Sequence, residues 1–178
     1  MKQIFIVGHG GPDKLQLRES PDPHPARGEI RIRVKASGVN FADILARQGL
    51  YPDAPKLPCV IGYEVSGTVD ATGPGVDPSL IGRDVFAMTR FGGYSDVVIV
   101  PEKQAFAKPA SLSHEQAAAI PVSYLTAWQL LVVMGALKPR RLCWFTMPAA
   151  ASAWPPSTSR DTLAPQSMAR PAALSTLS

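Results

Sequence analysis

The side chains with the type and setting for chemistry are few, and most are oxygen or amide groups. Asn40 carries an amide that both donates and accepts hydrogen bonds. Tyr51 offers a ring face and a phenolic hydrogen-bond donor. Thr126 places a hydroxyl inside an apolar helical pattern. Asp43 and Glu64 are acidic residues in apolar surroundings, read first as internal hydrogen-bonding groups and second as acid/base candidates. Each of the first three also has a plain structural reading. Asn40 suits an Asx turn between strand and helix, Tyr51 suits a packed turn residue ahead of Pro52, and Thr126 suits a helix hydroxyl bonding back to a carbonyl. Phe41 and Phe91 are candidate pocket walls, with core packing the more natural role for Phe41. Soft metal ligands are scarce: His9, His24 and His114 have no ligand spacing, which leaves them surface or capping roles, and two cysteines cannot make a four-thiolate site.

These groups need elements to position them, and the first 139 residues carry the patterns. Lys2–Val7 is a short apolar strand, and Glu29–Ala36 (EIRIRVKA) alternates as a half-buried strand. Phe41–Gln48 has a helical pattern that stops at Gly49. Tyr63–Ala71 is a third strand, closed by the turn Thr72–Gly75. Arg83–Met88 and Tyr94–Val100 are two more, separated by Gly92 and Gly93. Ser113 caps a helix with Gln116 at the capping-box position, and Pro121 marks a kink or a break in it. Many short strands with Gly and Pro turns predict a mostly β barrel or sandwich with a few helices.

Bulk composition excludes several classes. The chain has 46% hydrophobic and 18% charged residues, ordinary for a globular protein. Residues 1–139 carry 14 Lys and Arg against 13 Asp and Glu, so no basic face for nucleic acid is expected on the folded part. The N-terminus lacks the pattern of a signal peptide. The longest apolar run, Ala117–Leu137, is broken by Pro121, Ser123, Thr126 and Gln129, so a core or interface helix is expected rather than a transmembrane segment. Two cysteines without a disulfide framework suggest a cytoplasmic setting.

Five ordered blocks carry a resemblance: KASGVNFADILARQGLYP, LPCVIGYEVSGTV, GRDVFAM, GGYSDVVIVP and SLSHEQAAAIPVSYLTAWQLL. Together they resemble the medium-chain dehydrogenase/reductase superfamily, in its quinone-oxidoreductase-like branch and nearest its vesicle-amine-transport-protein-like group. The resemblance implies a GroES-like barrel over residues 1–121, and the start of a nucleotide-binding domain at residues 122–139. It implies NADPH as hydride donor, a small-molecule quinone or enone as partner, and a homodimer for the intact enzyme. It places Asn40, Tyr51 and Thr126 on the nicotinamide and ribose side of the cleft, with Tyr51 the catalytic candidate. Phe41, Tyr63 and Phe91 are then the expected substrate pocket. Zinc-dependent relatives use Cys in the GV-x-x-x-D block and His in the G-x-E block; here Asn40 and Tyr63 stand there, so no metal is expected. Without a Lewis acid the acceptor must itself be electrophilic, which favours quinones and activated enones over simple alcohols.

The resemblance stops near Pro139, and the composition changes with it. All 14 glycines precede residue 140, and 19 of the 39 residues from 140 to 178 are Ala, Ser or Pro. The superfamily continues at this point with a strand and a Gly-rich turn, of the form V-L-V-x-x-A-x-G-G-V-G. Reading the third base of each codon with the next two recovers that order. Cys143–Trp144 forces Leu, Trp144–Phe145 forces Val, and Met147–Pro148 and Trp154–Pro155 each force Ala. Pro148 through Ala151 permits three glycines. The expectation is a frameshift after Pro139, with residues 140–178 an out-of-frame, disordered low-complexity tail. The chain then reads as a truncated oxidoreductase fragment, inactive and without cofactor. The alternative is a non-catalytic GroES-like module that binds a partner or a membrane surface. Val122–Leu137 is expected to lack the parallel sheet that would cover it.

Overall fold

The computed structural model describes residues 1–136. The expected tail and the last residue of the predicted Val122–Leu137 helix lie outside the described residues. The chain divides into two units between Ala127 and Trp128.

The first unit is mostly β. A five-stranded antiparallel sheet runs in the order β7 (Val97–Pro101), β3 (Glu29–Ser37), β5 (Glu64–Thr72), β6 (Asp84–Met88), β8 (Ala105–Ala107). Alternation decides which way β3 faces: Ile30 and Ile32 are buried, while Arg31 and Arg33 turn outward. There Arg31 Nε and Arg33 Nε reach the Asp70 carboxylate of the paired strand at 2.7 and 2.6 Å. Two register shifts, at Arg31/Ile32 and Val34/Ala36, interrupt the β3–β5 ladder. Such bulges bend a strand and raise its twist, which curls this sheet into a half-barrel. Inside it Ile30, Ile32, Val65, Val69, Val85 and Val100 form an apolar core.

A smaller sheet, ordered β2 (Leu15–Glu19), β1 (Lys2–Ile6), β4 (Cys59–Val60), supports a second cluster of Ile6, Ala46, Cys59 and Ile61. Tyr51, Leu57 and Tyr94 pack against it. Helix α1 (Phe41–Gln48) ends where predicted, because Gly49 takes the left-handed φ of +78° that terminates it. Ser113 Oγ accepts from Gln116 N at 3.2 Å and opens α2 (His114–Ala118). Pro121 breaks the helical run: α2 stops before it and α3 (Pro121–Trp128) begins on it, the position where a missing N–H costs least. A π-helical turn, Gln129–Met134, follows α3. The sequence reading missed β2, β4 and β8. β4 has two residues and β8 three, too few to show alternation, and every residue of β2 is exposed.

Candidate functional site

The loop between β3 and α1 brings Asn40 to the first turn of α1. Asn40 N donates to Asp43 Oδ2 at 2.8 Å in a capping-box arrangement. Asn40 Nδ2 donates to Glu64 Oε1 at 3.0 Å. The bond to Glu64 fixes the direction of the Asn40 amide.

Glu64 opens β5 and is 2% exposed, yet both of its oxygens are engaged. Oε2 accepts from Val122 N at 2.8 Å, so one carboxylate ties the start of β5, the β3–α1 loop and the first turn of α3 together. A Cβ at Gly38 would stand 2.2 Å from Glu64 Oε1, so only glycine leaves room for this carboxylate. Burial pushes the Glu64 carboxyl up, against the Val122 amide and the Asn40 side chain, which favour its anion. Burial pushes Asp43 up as well, against the Asn40 amide, the Tyr94 hydroxyl and the Gly62 amide. Asp43 Oδ1 nevertheless has no hydrogen-bond partner of good geometry. Both acids thus serve as internal hydrogen-bonding groups.

Three predicted aromatic residues meet. Tyr51 and Tyr63 pack edge to face with ring centroids 6.2 Å apart, and Tyr63 tilts against Phe91 at 5.6 Å. The Arg90 guanidinium lies 5.8 Å from the Phe91 ring centre. Tyr63 Oη is buried without a hydrogen-bond partner. Burial, and then the nearby Tyr51 and Asp43, push its pKa far up, so the group is a neutral phenol.

The remaining candidates fall elsewhere. Phe41 is 72% exposed at the start of α1, which overturns its expected core role. Its ring follows the cap residue directly and points away from the Ile6–Ala46 cluster that the opposite face of α1 joins. Thr126 is exposed on α3, and its hydroxyl makes no hydrogen bond among the described residues. Tyr94 was missed. It packs on the same cluster as Tyr51, and burial followed by the charge of Asp43 pushes its hydroxyl far up. Its place in GGYSDVVIVP reads as a strand start, with nothing to mark it for a site.

A concavity of about 410 Å³ opens beside Tyr51, lined also by His9, Lys56 and Leu57. Zinc does not fit the donors at the two ligand positions of the zinc-dependent relatives: the Asn40 nitrogen is itself donating to Glu64, and Tyr63 is a neutral phenol. No group of three or more His, Cys, Asp or Glu residues able to hold a metal occurs among the described residues. No helix among them is long and apolar enough to cross a membrane.

Comparison with known proteins follows the same outline. Residues 26–110 match the alcohol dehydrogenase GroES-like domain. The human synaptic vesicle membrane protein VAT-1 homolog is 40% identical over 141 residues, which cover 78% of this chain and 36% of that protein. The crystal structure of the human VAT-1 homolog-like protein superposes with a TM-score of 0.74 at 37% identity, covering 78% of this chain and 45% of the other. Escherichia coli quinone oxidoreductase, crystallised with NADPH, gives 0.71 at 38% identity, covering 78% and 43%. This chain therefore spans less than half the length of the relatives it matches.

Proposed function

The chain belongs, through its N-terminal GroES-like domain, to the medium-chain dehydrogenase/reductase superfamily, and on that premise we propose that residues 1–121 are the substrate side, and residues 122–139 the start of the nucleotide-binding domain, of an NADPH-dependent quinone or enone reductase that works without zinc. One observation carries this reading. Tyr51, Tyr63 and Phe91 form an aromatic group that contains a buried hydroxyl with its hydrogen bond unspent. Flat conjugated carbonyl compounds match the rings, and Tyr51, which also lines the neighbouring concavity, carries a phenolic donor for their oxygen.

NADPH, when bound, supplies the hydride. Asn40, Tyr51 and Thr126 would hold its nicotinamide and ribose end. Glu64 fixes the Asn40 amide, and the Tyr51 phenol offers a donor to an acceptor oxygen as negative charge grows on it. The superfamily's phosphate-binding turn needs glycines, and residues 140–178 contain none. We therefore read residues 140–178 as out of frame and the chain as inactive. Two measurements test this. The nucleotide sequence across codons 138–148 reveals or denies a shift. Correcting the frame after Pro139 should yield a protein that binds NADPH and oxidises it with a small quinone in the absence of metal. A corrected protein that folds yet reduces no quinone or enone overturns the reading.

A second reading, a non-catalytic binding module, is favoured by the two separate apolar clusters already closed within residues 1–127. It calls for a monomeric, soluble 178-residue chain with a cooperative melt. Tyr124 and Leu125 on α3, each about half exposed, bear on the same question, because a chain that aggregates through them is not a working module.

A further inference from the structure

The concavity beside Tyr51 is assembled from two distant loops. One is the glycine-rich turn after β1, Gly8-His9-Gly10-Gly11; the other runs from Gly49 to Leu57. The first turn is held in place at several points. Val7 N donates to Lys14 O at 3.0 Å, Gly10 N donates to Arg47 O at 3.0 Å, and the Arg47 guanidinium returns a bond to Gly10 O. His9 lies on Gly49 so closely that a Cβ there would meet the imidazole Nδ1 at 2.7 Å. The imidazole is exposed at the rim and makes no hydrogen bond among the described residues. Lys56 stands on the same lining and has no carboxylate within 4.0 Å among the described residues. No acidic residue lines the cavity; Asp53 lies in the same loop but outside the lining. It is an open concavity of about 410 Å³, within the volume range of small-molecule sites but not enclosed.

We propose that this cavity binds a flat conjugated carbonyl compound carrying one anionic substituent, with Tyr51 against the ring system and Lys56 and His9 at the anion. The proposal rests on the quinone or enone reading above and narrows its substrate class to acidic members. Lys56 supplies an unspent charge, and His9 supplies a ring N–H donor. The Tyr51 ring gives an apolar face beside them. All lining residues fall between His9 and Leu57, so the site does not depend on the chain from Arg140 onward.

The test uses the full 178-residue chain and three probes: anthraquinone-2-sulfonate, the neutral 2-(hydroxymethyl)anthraquinone, and anthracene-2-sulfonate. Binding is followed by calorimetry and by NMR shifts of the His9 and Tyr51 side chains. The sulfonated quinone is expected to bind about fivefold more tightly than the neutral one, with shifts at both residues and weakening as salt is raised. Lys56→Ala should remove that preference and Lys56→Arg should restore it. Equal binding of the two quinones, indifference to Lys56→Ala, or no shifts at His9 and Tyr51 would overturn the proposal. Anthracene-2-sulfonate separates the two readings. If it binds as well as the sulfonated quinone, with the same dependence on Lys56, the anion site stands and the quinone reading loses its support.

Discussion

The two apolar clusters of the barrel treat polar atoms differently. Beside the larger, around Ile30, Ile32, Val65 and Val100, buried Ser66 is satisfied by the Val85 carbonyl, and the arginines of β3 are turned out to Asp70. The smaller, around Ile6, Cys59 and Ile61, lies among buried polar groups, two of whose atoms, Asp43 Oδ1 and Tyr63 Oη, have no hydrogen-bond partner of good geometry. A buried unsatisfied group costs about 1–3 kcal/mol. The proposed substrate side draws on the smaller cluster, where this cost is carried.

Substitutions can break or sharpen this contrast. The largest effect is expected in the sheet core: Ile32→Ala should cost about 3 kcal/mol in urea denaturation, because a fully buried side chain leaves a cavity. If Ile61→Ala, beside the orphaned groups, costs clearly more, the contrast fails. Tyr63→Phe is expected to go the other way. Deleting the unpartnered hydroxyl should leave stability unchanged or raise it by about 1 kcal/mol, and a loss above that figure would mean the hydroxyl is satisfied in solution. Between these in kind lies a pH effect. Asp43 and Glu64 hold their protons more tightly folded than unfolded, so stability should fall as pH rises past their ordinary values of 3.8 and 4.5, until the folded carboxyls have ionised too. Exposed Asp77 is held low by the Ser79 amide and acts oppositely: its contribution is present above 3.8 and lost as pH drops through its folded value. Asp43→Asn should flatten the descending arm in thermal melts recorded across pH 3–7, and an unchanged arm would remove burial as its cause. The smallest change is at a helix cap, where Ser113→Ala should cost about 1 kcal/mol.

Much of this was legible in the residues because the signals are local. EIRIRVKA announces its two faces, Gly49 its stop, and Ser113 with Gln116 its cap, and all three hold. The five blocks made the family readable before any coordinate. What was illegible came from long range. Nothing in the G-x-E block says that Glu64 will reach Asn40 and Val122, and nothing in GHGG says that His9 will sit on Gly49, some forty residues later. Phe41 was misjudged for a related reason. A helical pattern gives the apolar stripe of α1, but not which edge of that stripe the small sheet leaves uncovered.

The Glu64 bridge has a consequence for anyone exchanging parts between such barrels. Gly38 contributes the space, Asn40 and Val122 the donors, and Glu64 the acceptors, so the four form a single transferable unit drawn from three places in the chain. A chimaera whose junction separates residue 64 from residue 122 is sound only if the incoming segment brings a backbone N–H to that carboxylate. Proline, which the start of a helix otherwise tolerates, is the one residue such a graft cannot carry at position 122.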